Sequence, residues 1–164
     1  MNKRTRHTVL AVGILVLVFG LAVILIHPLE RYQRARCNEL LKLIGNAVWV
    51  YRGEHGRLPQ QFEVLSNELS NPVFLICPGS GHSPGSLTNA DSWADYTLID
   101  WSVVLGTNAV PDNYPIAYDR FMSNHAGHGV NVLTVDGFVR WDSNAEWLKK
   151  FSAEHPEAKL PMPQ

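Results

Sequence analysis

Apolar residues follow three different patterns along this chain. From Thr8 to Ile26 they are almost continuous, T-V-L-A-V-G-I-L-V-L-V-F-G-L-A-V-I-L-I, without a single charge. From Cys37 to Tyr51 they recur at steps of three and four, with Glu39, Lys42 and Asn46 falling between them. Beyond Tyr96 they come in short alternating runs separated by turn residues. Each pattern predicts a different element.

The first run holds about 19 residues, which as a helix rise about 28 Å, close to the hydrocarbon thickness of a bilayer. Backbone groups in lipid must be satisfied internally, so a single transmembrane helix is expected over residues 8–27. Lys3, Arg4 and Arg6 would make residues 1–7 a basic cytoplasmic tail. The competing reading is a secretory signal peptide. Its apolar region is usually about 7–15 residues and ends in a small-x-small site. Ile24-Leu25-Ile26-His27-Pro28 offers no such site, so a retained anchor is expected. Arg31, Arg34 and Arg36 flank the far end, and charge alone therefore sets no firm orientation.

Pro28 falls just past the run, and the second pattern reads as an amphipathic helix to about Arg52, ended by Gly53 and Gly56. Lipid half and amphipathic half together predict a nearly continuous helix of about 45 residues. Pro59 opens a short second helix with Phe62, Leu65 and Leu69 on one face, stopped at Asn71-Pro72. Val73 to Cys77 reads as a buried extended segment, and Gly79 to Asp91 as a loop.

The rest predicts a small antiparallel sheet. Strands are expected at Tyr96–Val103 and Pro115–Arg120, then a hairpin of Val130–Val135 and Phe138–Trp141 around a type I′ Asp136-Gly137 turn. Ser143 and Glu146 form a capping box for a last helix, Asn144 to about Phe151. A long helix followed by such a sheet is an α+β plan, with the stripe ending at Tyr51 as cover for the sheet's apolar face. Residues 28–158 are thus one domain, and the Pro-rich 159–164 a flexible tail.

Charge narrows the function classes. All 15 Asp and Glu and 11 of the 14 Lys and Arg lie beyond residue 27, leaving that part at about −4, with no basic patch to track phosphates. Nucleic acid is not an expected partner. Five Trp, five Tyr and six Phe argue against disorder.

Cys37 and Cys77 are the only cysteines in the sequence. An even pair in an oxidising compartment suggests a disulfide between them; against it, Cys37 lies on an apolar helix face, where a buried free thiol is common. Asp119, His125, His128 and Asp136 are a candidate cation site. Zinc prefers His nitrogens and few ligands, calcium six or more oxygens. The spacing fits no established zinc pattern. The alternative is structural: His125 and Asn124 satisfying loop backbone, Asp136 serving only the turn. Gly79-Ser80-Gly81-His82-Ser83 lacks the G-x-S-x-G order of a nucleophile elbow and the Lys of a phosphate loop. The five tryptophans read as core.

Three stretches bear a resemblance: A-R-C-N-E-L-L-K-L-I-G-N-A-V-W-V-Y-R-G-E-H-G-R-L-P at 35–59, N-P-V-F-L-I-C-P-G-S at 71–80, and N-H-A-G-H-G-V-N-V-L-T-V-D-G-F-V-R-W at 124–141. With these the chain resembles pilin-like proteins related to type II secretion pseudopilins, in the bacterial branch with a C-terminal His…Asp-Gly signature. The resemblance marks His125, Asp136 and Gly137 as signature positions without giving them an activity. It implies a pilin-like fold, an inner-membrane location with the domain on the periplasmic side, and partners among membrane lipid and other pilin-like or secretion-system chains. One departure stands out. Thr8 to Ile26 contains no carboxylate, and Phe19-Gly20 reverses the order of the prepilin processing site. Leader cleavage and N-methylation are therefore not expected.

The expectation is a non-enzymatic, single-pass structural or accessory protein without a cofactor. A membrane-tethered binding module with a cation or ligand site near the His125–Asp136 hairpin is the alternative, and a metal-dependent enzyme a third reading.

Overall fold

The computed structural model describes residues 3–101 and 110–164, with side chains at 12–21, 29–101 and 110–164. It contains α1 (Lys3–His55), four strands, β1 (Tyr96–Leu98), β2 (Pro115–Asp119), β3 (Gly129–Thr134) and β4 (Val139–Ser143), and α2 (Glu146–Glu154), with short 3-10 turns between. Residues 1–32 and 33–164 are two separate compact units.

In the first unit, every described side chain from 12 to 21 is exposed, including Leu15, Leu17 and Phe19, each more than 70% accessible. Among the described residues no helix is long and apolar enough to cross a membrane. Of the span expected over 8–27, the side chains of 8–11 and 22–27 lie outside the described residues.

In the second unit the four strands form one antiparallel sheet in the order β1-β2-β3-β4. Strand alternation gives it two faces. One carries Tyr96, Asp119, Asn131 and Trp141 as a row across all four strands, with Leu98, Ala117, Leu133 and Val139 as the next row. The helix covers this face. Cys37, Leu40, Leu41, Ile44, Ala47, Val48 and Tyr51 are all buried, matching the stripe read from the sequence. A Cβ at Gly45 would stand 3.2 Å from the Leu133 side chain, so the helix backbone lies close to the sheet there. The opposite face, with Ile116, Tyr118, Val132 and Arg140, meets α2 and the chain end. The Arg140 guanidinium sits 4.6 Å from the Trp147 ring centroid, and the Tyr118 hydroxyl donates to Pro161 O. Trp101, Tyr114, Phe151 and His155 form an aromatic group beside α2.

Several local readings differ from the sequence expectation. The helix persists to His55, stacked on Tyr51, and ends at Gly56 in the left-handed conformation. The second helix is only a 3-10 turn, Phe62–Leu65, though Phe62, Leu65 and Leu69 are buried as the spacing required. Val73–Leu75 is not extended. Asn71 accepts from the Val73 N–H and Pro72 opens a 3-10 turn, so local capping overrides the β-branched propensity. β1 stops at Leu98; residues 102 and 103 of the expected strand lie outside the described residues.

The hairpin forms, but its turn is not type I′. Only Gly137 has positive φ; Gly137 N–H donates to Thr134 O and Thr134 N–H to Phe138 O. This is a three-residue loop with glycine at the left-handed position. Asp136 holds it by accepting from the Thr134 hydroxyl and the Phe138 N–H. The Ser143–Glu146 capping box is also absent. Asn144 and Ala145 turn left-handed, and both oxygens of the buried Asp142 accept instead, from Trp147 N–H and Leu148 N–H, each at 2.9 Å. The end segment 159–164, expected to be flexible, is tied to the domain. Leu160 is buried, and Gln164 exchanges backbone hydrogen bonds with Arg120 and Met122.

Because one face of the sheet is covered by a single helix stripe, shortening a fully buried member of it should be costly. Leu41→Ala is expected to destabilise by about 2–5 kcal/mol, read as a lowered denaturation midpoint at unchanged slope. A loss under about 1 kcal/mol would show that the stripe does not carry the fold.

Candidate functional site

Polar groups are buried at one end of the helix-covered face. β2 ends in Asp119, whose carboxylate is fully buried and therefore must be hydrogen-bonded. Its Oδ2 accepts from Asn131 N–H at 2.6 Å, Asn131 Nδ2 at 3.0 Å and His125 Nε2 at 2.9 Å. His125 is placed by a 3-10 turn, Met122–His125, directly after β2, and the turn closes with Ala126 in the left-handed conformation. The His125 ring meets Trp141 edge-on at 5.5 Å between centroids, and the Arg34 guanidinium lies over the Trp141 ring at 4.7 Å from its centroid. Within this pair Asp119 Oδ1 and His125 Nδ1 are buried with no hydrogen-bond partner among the described residues, as are Tyr96 Oη and Asn124 Nδ2.

Cys37 and Cys77 are joined by a disulfide, with Cα atoms 5.5 Å apart. It fastens the helix to the segment that follows the second 3-10 turn. Three further contacts hold that segment. Asp95, just before β1, accepts from Cys77 N–H at 2.9 Å through Oδ2 and meets His82 Nδ1 at 2.6 Å through Oδ1. Asp95 N–H donates to Leu75 O. Gly79 passes so near the Met122–His125 turn that a Cβ there would sit 2.1 Å from Asn124 O. Any side chain would push the two loops apart.

The bridge lies against the carboxylate group: Cys77 Sγ is 3.8 Å from His125 Nε2. One candidate donor atom each from Cys37, Cys77, Asp119 and His125 can be chosen so that all lie within 4.8 Å of one another. Of the four residues singled out from sequence as a cation site, the structure unites two, Asp119 and His125. His128 is exposed at the loop end, and Asp136 is bound into the hairpin turn with Gly137. Asn131, Asp95 and Gly79 are the contributors that sequence reasoning missed. Asn131 had a legible signal, a polar residue in the middle of the apolar run from Val130 to Val135.

Tyr96, in the same cross-strand row as Asp119, has its phenol pushed well above the ordinary range by burial and then by the charges of Asp119 and Asp95. A second carboxyl pair lies in the loops. Asp91 Oδ2 accepts from Phe62 N–H, and Asp91 N–H donates to Glu63 Oε1. Burial, followed by a hydrogen bond between the two carboxyl side chains and then the Glu63 charge, pushes the Asp91 carboxyl up to about 7, while that side-chain hydrogen bond holds Glu63 low. Nearby, His82, Ser83, Ser92, Trp93, Arg120 and Phe121 line an open cleft of about 340 Å³.

Two outcomes follow. Opening the bridge removes a constraint across a sequence separation of 40, and the paired Cys37→Ser, Cys77→Ser variant should lose about 4 kcal/mol on the chain-entropy scale. An unchanged denaturation midpoint would show that the bridge does not stabilise the domain. Between about pH 4 and pH 7 folded Asp91 keeps a proton that the unfolded chain has released, so its contribution to stability falls as pH rises through that window. Glu63 acts oppositely, adding stability above its ordinary value and losing it on acidification. Asp91→Asn retains an acceptor for Phe62 N–H and should flatten the decline of thermal midpoint over that range; an undiminished decline would assign it elsewhere. No family model, curated protein or solved structure matches this chain.

Proposed function

We propose that this protein is a membrane-anchored, pilin-like structural or accessory subunit without catalytic activity, of the kind associated with type II secretion or type IV pilus-related systems. The observation that carries the reading is the uninterrupted exposed apolar stretch of α1 from Val12 to Leu21. Water does not tolerate so continuous a hydrophobic surface on one helix, and lipid or a second apolar helix is what would cover it.

Other features support the same reading. The Cys37–Cys77 bridge suits an oxidising, extracytoplasmic compartment. Side-chain exposure of Asp119 and His125 is 0% and 3%, which gives a substrate no route to the most polar group in the core and favours a structural role for the signature histidine. Inner-membrane residence with residues 28–158 on the periplasmic side is part of the proposal, as is association with other single-span chains through α1. A second reading, a membrane-tethered binding module, has the cleft beside His82 and Arg120 in its favour, since both side chains suit an anionic group.

Membranes from cells making the full chain should keep it through a carbonate wash and release it only in detergent, and Leu17→Arg, at about 2.5–3.5 kcal/mol for a charge at mid-bilayer, should shift it to the wash. Photocrosslinking from position Val16 should give adducts with single-span proteins, this chain included. Quantitative release by carbonate would overturn the anchor; crosslinks to lipid alone would overturn the subunit role.

A further inference from the structure

We propose that the chain with its disulfide reduced binds one zinc ion through Cys37 Sγ, Cys77 Sγ, His125 Nε2 and an oxygen of Asp119, so that bridge and metal are alternative occupants of the same place. Four facts carry this. The four donors come from four separate elements (α1, the 76–80 segment, the 122–125 turn and β2) yet their ligand atoms gather within 4.8 Å of one another. A tetrahedral zinc site has ligand–ligand edges of roughly 3.3–3.8 Å, so the outer donors must close by about 1 Å while the two sulfurs, once reduced, separate by about 2 Å. Two thiolates, an imidazole and a carboxylate form a soft to borderline set that suits zinc rather than calcium. The site also offers unused capacity: Asp119 Oδ1 is buried with no donor facing it among the described residues, while Oδ2 already has Asn131 as an orienting partner.

The chemistry balances in two steps. A dithiol reductant attacks the Cys37–Cys77 bond; two electrons and two protons pass to the protein, and the reductant leaves as its own disulfide. The two thiols then give up two protons as zinc binds, and the His125 ring proton moves from Nε2 to Nδ1, freeing Nε2 to coordinate. A sulfur in a disulfide is no thiolate, so oxidation expels the ion. Trp141, half-buried beneath the exposed Arg34, stands on the His125 side of the group.

The test uses the full chain in detergent, reduced by a dithiol under nitrogen, freed of reductant, and incubated with zinc chloride or cobalt chloride. The reduced chain should retain one equivalent of zinc after desalting, show cobalt bands of a tetrahedral thiolate site, and melt higher with zinc than without. The oxidised chain should retain none. Asp119→Asn and His125→Ala should each weaken zinc retention at least tenfold, while His128→Ala, outside the group, should not. Two cysteines in an unfolded chain can also hold zinc, so the dependence on His125 and Asp119 is decisive. Equal retention by those variants overturns the site, as does less than a tenth of an equivalent on the reduced chain. A reduced chain that unfolds and gains no structure with zinc overturns it too, because zinc at these donors would be coupled to folding.

Discussion

Burial of one stripe of α1 against one face of a four-stranded sheet is the constraint on which the remaining structure depends. A sheet this small cannot bury both faces by itself. Seven side chains from Cys37 to Tyr51 close one face, and α2 with the returning chain end closes the other. Leu133 and Gly45 show how near the layers come, since the helix offers only a hydrogen where it crosses the strand. Once that packing is set, the register of the cross-strand rows decides which polar residues are trapped beneath the helix.

The trapped group is Asp119, Asn131 and His125, flanked by the disulfide. Buried carboxylates are costly unless their lone pairs are filled, and three donors converge on Asp119 Oδ2 to fill one side. The same residues that satisfy the charge also tie β2, β3 and the loop between them into one body. Asp95 repeats the device for the Cys77 segment, and Asp142 for the start of α2. Three buried aspartates thus do locally what the apolar stripe does globally: each replaces missing backbone partners at the edge of a regular element.

The long periodic pattern was legible in sequence because helix packing reads an average over many turns, and one deviating residue does not alter it. The stripe, the central pair of strands and the β3–β4 hairpin were all of this kind. Short segments were read less well. Val73–Leu75 has strand propensity but a capping Asn71 and Pro72 ahead of it, and the hairpin loop follows the hydrogen bonds of Asp136 rather than the preference of the Asp-Gly pair. Over three or four residues a single side-chain hydrogen bond of about 1 kcal/mol outweighs propensity differences of a few tenths.

By itself the sequence determined the α+β plan, the helix stripe, the apolar stretch before it and the presence of only two cysteines. Those properties depend on composition and on spacing along one dimension. Only the tertiary structure decided that Cys37 and Cys77 meet, that Asp119 and His125 join them while His128 and Asp136 do not, and that Asn131 completes the group. The physical reason is that these residues lie up to 94 positions apart, and their proximity is set by strand register and helix crossing. Neither is a property of any local stretch of chain.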